Sequence, residues 1–287
     1  MADPVHVVGP TGRSGRAVCE ALVAAGESIV PVVRDIAKFR ASGLPGDPRM
    51  ADLVDSHALG HALGDATRVA SCAHARHAPA ILAAARRADR FVLLGSTRRY
   101  TRWLDEHGQG VLDGEAAFLA SGRNGVMLHP TMIYGATGED NVRRLAALLR
   151  RVPVLPLPNR GRALVQPIHQ DDVTRAVIAA LGIAWVGPRA LVIAGPAALP
   201  YAEFVAAVAH AAGLRAPRIL GAPGGLLMAA ATLTAIVPVL PRIRADEVRR
   251  LMEDKAFPIG PMLSQLGVRP ISLAEGLART FADRTAR

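Results

Sequence analysis

The stretch VHVVGPTGRSG, residues 5–15, decides the fold, because three glycines at intervals of three residues break an apolar run. The residues that follow, RAVCEALVAAG, predict a helix that ends at Gly26 and leads to a second apolar run. A glycine-rich turn between a strand and a helix directs backbone N–H groups at a bound pyrophosphate. The stretch therefore predicts a dinucleotide site, and a tight turn with packing glycines is the alternative.

Apolar, β-rich runs recur along the chain up to residue 194, and alanine-rich helical stretches separate most of them. This alternation predicts an α/β protein with a doubly wound, mostly parallel Rossmann sheet. After Gly195 the pattern changes to helices and Pro/Gly breaks, which predicts a smaller, mainly helical C-terminal substrate lobe. We expect a nucleotide-binding domain over residues 1–195, with 153–168 contributing to the cap, and the lobe over 196–287. The predicted strands are 5–8, 29–33, 68–72, 91–94, 125–128 and 191–194.

Composition limits the partners and the compartment. The formal net charge is +10, but the basic residues are dispersed as short pairs such as Arg86-Arg87, so we expect no specific nucleic acid partner. Cys19 and Cys72 form no C-x-x-C motif and indicate a reducing environment. The residues MADP before the first strand carry no basic-then-apolar leader, so we expect no signal peptide and a cytoplasmic protein.

One uncharged stretch, residues 219–241, is long enough to span a bilayer. Glycines and prolines break both of its ends, so the helical part runs from about 226 to 237 and is too short to span. We therefore expect no transmembrane helix. A buried helix, a dimer surface and a peripheral membrane or lipid contact through 226–240 stay open, as do a monomer and a homodimer.

Cations replace an acidic residue at the end of the second strand. A carboxylate there would bind the ribose 2′-hydroxyl of NAD, but Arg34 occupies the position. Arg13 lies in the glycine turn, and Lys38 follows one helical turn after Arg34. Three converging cations suit a 2′-phosphate, so we expect NADP(H) to be preferred over NAD(H). A solvated Arg34 beside Asp35 is the alternative.

Seven short motifs follow one another along almost the whole chain. They are GPTGRSG (9–15), VRDIAKF (33–39), ADLVDSHAL (51–59), LLGST (93–97), HPTMIYG (129–135), PIHQDDV (167–173) and LGVRPISLAEGL (266–277). Their order and spacing resemble the extended and atypical short-chain dehydrogenase/reductase superfamily. The nearest branches are the NmrA-like proteins and the NAD-dependent epimerase/dehydratase-like proteins, which act on nucleoside-diphosphate sugars.

This resemblance implies which residues line the cofactor. Asp52 and Leu53 would lie against the adenine, and Ala73 and His74 would follow the fourth strand. Tyr134 would complete a structural corner. The glycine turn would contribute Gly9, Thr11, Gly12, Arg13, Ser14 and Gly15, and the nicotinamide ribose would be wrapped by Pro130, Thr131, Met132 and Ile133.

The superfamily's catalytic pair is a Tyr-x-x-x-Lys, in which the tyrosine exchanges the substrate proton and the lysine assists it. Counting back from Pro130, with Glu115 in the superfamily's acidic position, places His107 at the tyrosine and Val111 at the lysine. Neither of the chain's two lysines falls in this region. The resemblance therefore implies that the pair is absent.

A residual catalytic set is present near the end of the fifth strand. Ser96 occupies the place where the superfamily has a hydroxyl that binds the substrate oxygen, and Tyr100 or His107 could supply the proton, as could water. A solvated loop residue is the alternative for His107. His129 replaces an arginine of many relatives; it could reach substrate, but we favour a hydrogen-bonded histidine at a strand end.

Two pairs of histidines have spacings that suit a metal: His57 with His61, and His74 with His77. A catalytic metal needs a third protein ligand and an open position. The sequence places no acidic or thiolate partner near either pair, so we expect no metal site.

Three functions follow from these observations. The first is an NAD(P)-dependent oxidoreductase that transfers hydride to a small, fairly apolar carbonyl, enone or quinone without the usual pair. The second is a non-catalytic redox sensor or assembly protein, as among NmrA-like proteins. The third is a nucleoside-diphosphate-sugar epimerase or dehydratase, in which a diphosphate would bind Arg143, Arg144, Arg160 and Arg162.

Overall fold

The computed structural model describes residues 3–135, 141–234 and 245–282. Contacts divide the chain into two units, and each is discontinuous in sequence. Unit 1 comprises Met1–Pro130, Gln170–Ile193 and Ile259–Arg269, and unit 2 comprises Thr131–His169, Ala194–Pro258 and Pro270–Arg287. Residues 153–168 lie in unit 2, whereas the single boundary after residue 195 stays a prediction.

The secondary structure elements are numbered along the chain. The strands are β1 (Val5–Val8), β2 (Ile29–Val33), β3 (Arg49–Met50), β4 (Arg68–Ser71), β5 (Arg90–Leu94), β6 (Gly125–Pro130), β7 (Ile133–Tyr134), β8 (Val154–Pro158), β9 (Leu164–Val165), β10 (Ile168–His169), β11 (Pro188–Ile193), β12 (Leu199–Pro200) and β13 (Arg218–Ala222). The helices are α1 (Arg13–Ala24), α2 (Ile36–Ala41), α3 (Ser56–Leu63), α4 (Ala78–Ala84), α5 (Glu106–Ala120), α6 (Asn141–Leu149), α7 (Gln170–Gly182), α8 (Tyr201–Ala211), α9 (Gly224–Thr234), α10 (Ala245–Arg250), α11 (Gly260–Leu266) and α12 (Leu273–Ala282).

Unit 1 is built on a parallel sheet of seven strands in the order β11-β6-β5-β4-β1-β2-β3. The strand order reverses between β1 and β4, and ligands of open α/β sheets bind at such a switch point. The predicted doubly wound Rossmann sheet is confirmed.

The core of unit 1 explains why these runs form strands. All four residues of β1 are buried, as expected for a central strand of a parallel sheet that is covered on both faces. Phe91, Phe118 and Met127 are fully buried in the same core. The sequence analysis missed β3, because Arg49 and Met50 form only two residues of edge strand and carry no apolar run.

Unit 2 combines helices with three pairs of short strands, β10-β7, β12-β9 and β13-β8. Its core includes Tyr134, Phe204 and Leu277. The helical character predicted for the C-terminal part is confirmed, but β12 and β13 were not predicted. Both pair with strands that precede residue 195, and local sequence patterns carry no information on such distant pairing.

The uncharged stretch 219–241 is divided between two elements. Its first residues belong to β13, and α9 begins at Gly224, two residues before the predicted helix. The end of the predicted helix lies outside the described residues. Among the helices that the structure describes, none is both long and apolar enough to cross a membrane.

Candidate cofactor and catalytic site

The glycine turn between β1 and α1 has backbone geometry that side chains would block. Gly9 has a φ of +75°, and a Cβ on Gly15 would lie 2.0 Å from the Gly9 carbonyl oxygen. Gly12 is the N-cap of α1, and the first turn of this helix carries no acidic residue. No side chain caps the first turn, so its backbone N–H groups and the positive helix end can bind an anion.

Side chains of the same turn differ in what they contact. The Ser14 hydroxyl donates to Gln170 Oε1 at 2.9 Å, and Gln170 is a buried residue of α7 that donates to Thr174. Ser14 therefore joins α1 to α7 through its side chain. Thr11 and Arg13 are exposed.

Three exposed cations occur at the predicted ribose end of the site. The side chains of Arg13, Arg34 and Lys38 form no hydrogen bond or ion pair within the described part of the chain. Asp35 does not pair with Arg34; its carboxylate accepts the Lys38 N–H at 2.9 Å and caps α2. Arg34 is exposed, so the alternative of a solvated Arg34 beside Asp35 stays open.

The residues predicted to line the adenine and the adjoining part of the cofactor follow β3 and β4. Asp52 Oδ1 accepts the Val54 N–H at 3.2 Å, and Leu53 packs against the core of unit 1. A Cβ on Gly9 would lie 3.2 Å from the backbone nitrogen of Ala73, so the chain after β4 passes close beside the glycine turn.

His74 and His107 form a ring pair with centroids 4.1 Å apart and planes nearly perpendicular. Burial lowers the pKa of His74 from 6.5 to about 4, with smaller contributions from His107 and Arg76. His74 Nδ1 accepts from the backbone N–H and the Nε–H of Arg76, so this histidine is neutral at neutral pH with its proton on Nε2.

His107 lies in the first turn of α5 and not in a loop. Asp105 caps this helix by accepting the Gly108 N–H at 2.8 Å, a signal that the sequence analysis overlooked. Val111 lies one turn further along α5 and is 1% exposed, so the position of the superfamily's lysine is part of the hydrophobic core.

A 3₁₀ turn, Thr97–Tyr100, follows two residues after β5; Ser96 is its N-cap and Tyr100 its last residue. Ser96 Oγ accepts the Arg98 N–H at 3.2 Å and so caps the turn, and Thr97 Oγ1 donates to the Pro130 carbonyl. Tyr100 is 50% exposed, and Arg99 donates to its hydroxyl oxygen at 3.1 Å. The structure thus brings two of the three predicted catalytic residues onto one short turn.

A buried polar cluster behind this turn was not predicted. Glu115 and His129 are almost fully buried, and Glu115 Oε2 lies 2.7 Å from His129 Nε2. The other carboxylate oxygen lies 2.9 Å from Arg99, and His129 Nδ1 accepts the Ser96 N–H. The sequence analysis assigned no role to Arg99, although an acidic residue within the apolar pattern of a helix signals that a cation must lie nearby.

The predicted nicotinamide segment is divided between the units. Pro130 ends β6 in unit 1, whereas Thr131, Met132 and Ile133 belong to unit 2. Met132 packs against the core around Tyr134, whose ring lies 5.2 Å from that of His169. Their contact with a cofactor stays a prediction.

No group of three metal-ligating side chains occurs among the residues that the structure describes. The rings of His57 and His61 contact each other edge to face, with centroids 4.5 Å apart. The pairing is a ring contact between neighbouring turns of α3.

Unit 2 contains an open cavity of about 400 Å³. Its lining includes the exposed Arg160 and Arg162, which the sequence analysis had associated with a diphosphate. Asn159 and Arg160 have φ values of 47° and 53°, in the left-handed region that non-glycine residues rarely adopt. The full lining is Asn159, Arg160, Arg162, Gly221, Ala222 and Pro223.

Comparison with known proteins gives structural relatives only. No family model matches the chain, and no curated protein matches it. An NADPH-dependent quinone oxidoreductase from Escherichia coli, solved with NADPH, is 20% identical with a TM-score of 0.77 over 96% of this chain and 99% of its own. UDP-glucose 4-epimerase from Thermotoga maritima is 14% identical with a TM-score of 0.75 over 99% and 100% of the two chains. MoeE5, solved with UDP-glucose and NAD, is 20% identical with a TM-score of 0.73 over 99% and 100%.

Identities this low establish a shared fold and not a shared activity. The comparisons therefore confirm the Rossmann fold with a helical C-terminal part, which the sequence resemblance implied.

Proposed function

We propose that the chain binds NADP(H) and catalyses hydride transfer to a small, fairly apolar carbonyl, enone or quinone. The observation that carries the proposal is the glycine turn at the start of α1, together with the cations Arg13, Arg34 and Lys38, whose side chains have no partner among the described residues. The quinone oxidoreductase of the same fold, solved with NADPH, supports the cofactor class and one of the substrate classes.

Bound NADPH would supply the hydride, and reduction of a carbonyl to a hydroxyl then consumes one proton. Ser96 would hold the substrate oxygen, and Tyr100 or His107 would donate that proton, unless water does so. Tyr100 is the better donor in this proposal, because the residue is half exposed and Arg99 donates a hydrogen bond to its hydroxyl oxygen. Water would then reprotonate the donor.

The cofactor preference is tested by titrating the protein with NADPH and NADH. Replacing Arg34→Gln is expected to weaken NADPH binding about tenfold, roughly 1.4 kcal/mol, by removing a charge-assisted contact to the 2′-phosphate. NADH binding should not change. The control Arg87→Gln removes the same charge from an exposed position without a described partner. Equal losses for both cofactors would refute a 2′-phosphate contact.

A non-catalytic redox sensor or assembly protein is the second candidate, and the buried Val111 at the lysine position favours it. Such a protein should bind reduced and oxidised cofactor with different affinities. It should not oxidise NADPH, whichever acceptor is added. A panel of aldehydes, enones and quinones, added to the NADPH complex, separates the two functions. Acceptor-dependent loss of NADPH absorbance supports the enzyme, and its absence supports the sensor.

A nucleoside-diphosphate-sugar epimerase or dehydratase is the third candidate. The arginine-lined cavity of unit 2 and the epimerase of the same fold favour it. Titration with UDP-glucose tests this function: binding that Arg160→Gln weakens would support it. If UDP-glucose does not bind, the chain does not act on nucleoside-diphosphate sugars of this kind.

A further inference from the structure

The two candidate catalytic residues on the turn after β5 are joined by a closed series of polar contacts inside unit 1. Starting at Ser96, its backbone N–H donates to His129 Nδ1 at 3.1 Å, and His129 Nε2 lies 2.7 Å from Glu115 Oε2. Glu115 Oε1 lies 2.9 Å from Arg99, which donates to the Tyr100 hydroxyl oxygen at 3.1 Å. The series therefore begins and ends on the same short turn.

The contact with Ser96 fixes the tautomer of His129. Because Nδ1 accepts a backbone N–H, the proton of the neutral ring must be on Nε2, which faces the Glu115 carboxylate. The 2.7 Å contact lacks the alignment of a good hydrogen bond, so its main effect is electrostatic. A Cβ at residue 95 would lie 2.4 Å from His129 Nδ1, so Gly95 permits the ring to come this close.

Glu115 needs a cation, and Arg99 supplies it. The Glu115 side chain is 5% exposed, and a buried carboxylate is costly without a charged partner. One nitrogen of Arg99, Nη1, contacts both the carboxylate and the Tyr100 hydroxyl, since it carries two hydrogens. The guanidinium also lies over the Tyr100 ring, 4.7 Å from its centroid.

We propose that Arg99 is the positioning residue for Tyr100. It fixes the hydroxyl group that donates a proton to the substrate oxygen. The proposal rests on the proposed hydride transfer. Glu115 fixes Arg99, and His129 connects Glu115 to the backbone of Ser96, so one buried network sets the geometry of the oxygen-binding group and of the proton donor. When the proton passes from Tyr100 to the substrate oxygen, negative charge develops on an oxygen that lies 3.1 Å from the guanidinium. Arg99 would thus supply a cation where the superfamily uses a lysine one helical turn from its tyrosine.

Steady-state kinetics with an acceptor from the panel test this role. Arg99→Met should lower kcat at least about tenfold, while the KM for NADPH stays within about twofold, because Arg99 acts on the donor and not on the cofactor. Arg99→Lys should recover part of the loss, since it keeps the charge without the planar fork. Arg87→Met is the matched control and should leave kcat unchanged.

A double-mutant cycle separates positioning from general damage. In a Tyr100→Phe background, Arg99→Met should cause little further loss, because the hydroxyl that Arg99 holds is gone. Equal losses in both backgrounds would overturn the proposal. Arg99→Met would leave Glu115 unpaired and could unfold the protein. In that case the double variant Arg99→Met/Glu115→Gln, which also removes the buried negative charge, takes the place of Arg99→Met in the cycle.

The contact is also tested without activity, by fluorine NMR of the protein labelled with 3-fluorotyrosine. Tyr100→Phe identifies the Tyr100 signal among the three tyrosines. Arg99→Met should shift that signal, and Arg87→Met should shift none. An unmoved Tyr100 signal refutes the positioning by Arg99, whatever the activity. If wild-type protein binds NADPH but reduces no acceptor, the proposed function fails, and the NMR result alone decides the contact.

Discussion

Replacing Gly95→Ala should destabilise the protein through the buried cluster. The added Cβ would lie 2.4 Å from His129 Nδ1, 2.5 Å from His129 Cε1 and 3.3 Å from Met127 Cγ. Neither neighbour has room to withdraw, because His129 and Met127 are both 0% exposed. Overpacking of this kind costs about 1–3 kcal/mol, and loss of the Ser96 to His129 hydrogen bond costs about 1 kcal/mol more. The lower entropy of an unfolded alanine chain offsets about 0.5–1 kcal/mol.

The expected net loss is therefore about 1–3 kcal/mol in the free energy of unfolding, measured by urea denaturation with circular dichroism. Gly60→Ala is the matched control, because a Cβ on this residue of α3 would meet nothing within 4 Å. It should stabilise the protein by up to about 1 kcal/mol. If Gly95→Ala unfolds at the same urea concentration as the wild type, the close packing of His129 against this strand end is wrong.

Three further predictions concern buried ionisable groups. Glu115→Gln should cost roughly 2 kcal/mol by urea denaturation, because Arg99 loses its charged partner while remaining three-quarters buried; an unchanged midpoint would contradict the ion pair. His74 should titrate near pH 4 by NMR, and titration near 6.5 would refute this prediction. Because its folded pKa lies below the unfolded value of 6.5, the free energy of unfolding should fall by about 1–3 kcal/mol as the pH drops from 6.5 to 4. A His74→Gln variant should lose this dependence. Burial raises the pKa of the Cys19 and Cys72 thiols to about 12, so both should react with iodoacetamide at neutral pH mainly after unfolding. Rapid labelling of the folded protein would refute the raised pKa values.

Local patterns were sufficient for most of the sheet and the glycine turn. Predicted strands such as 29–33 coincide with β2, because central parallel strands are continuous apolar runs. The missed strands are β3, β7, β8, β9, β10, β12 and β13, which are short or lie in Pro/Gly-rich sequence. Except for β3, they pair in unit 2 with partners distant in the sequence. Such partners cannot be read from periodicity.

The candidate site was predictable where one residue type implies one geometry. Gly15 is an example, since no other residue fits beside the Gly9 carbonyl. The cluster of Arg99, Glu115 and His129 was not predictable, because it joins a turn, a helix and a strand whose side chains meet only in the folded chain. Sequence analysis had identified Glu115 and His129 separately, and only the distances connect them.

Hydride transfer from NADPH to an acceptor is tested by isotope transfer. Wild-type protein is incubated with NADPH carrying deuterium at C4 of the nicotinamide, in each of the two configurations, and with the acceptor panel. We expect a product that carries one deuterium from one configuration only, formed more slowly by Tyr100→Phe. Bound cofactor with no labelled product from any acceptor would refute hydride transfer and leave a protein that binds NADP(H) without using it.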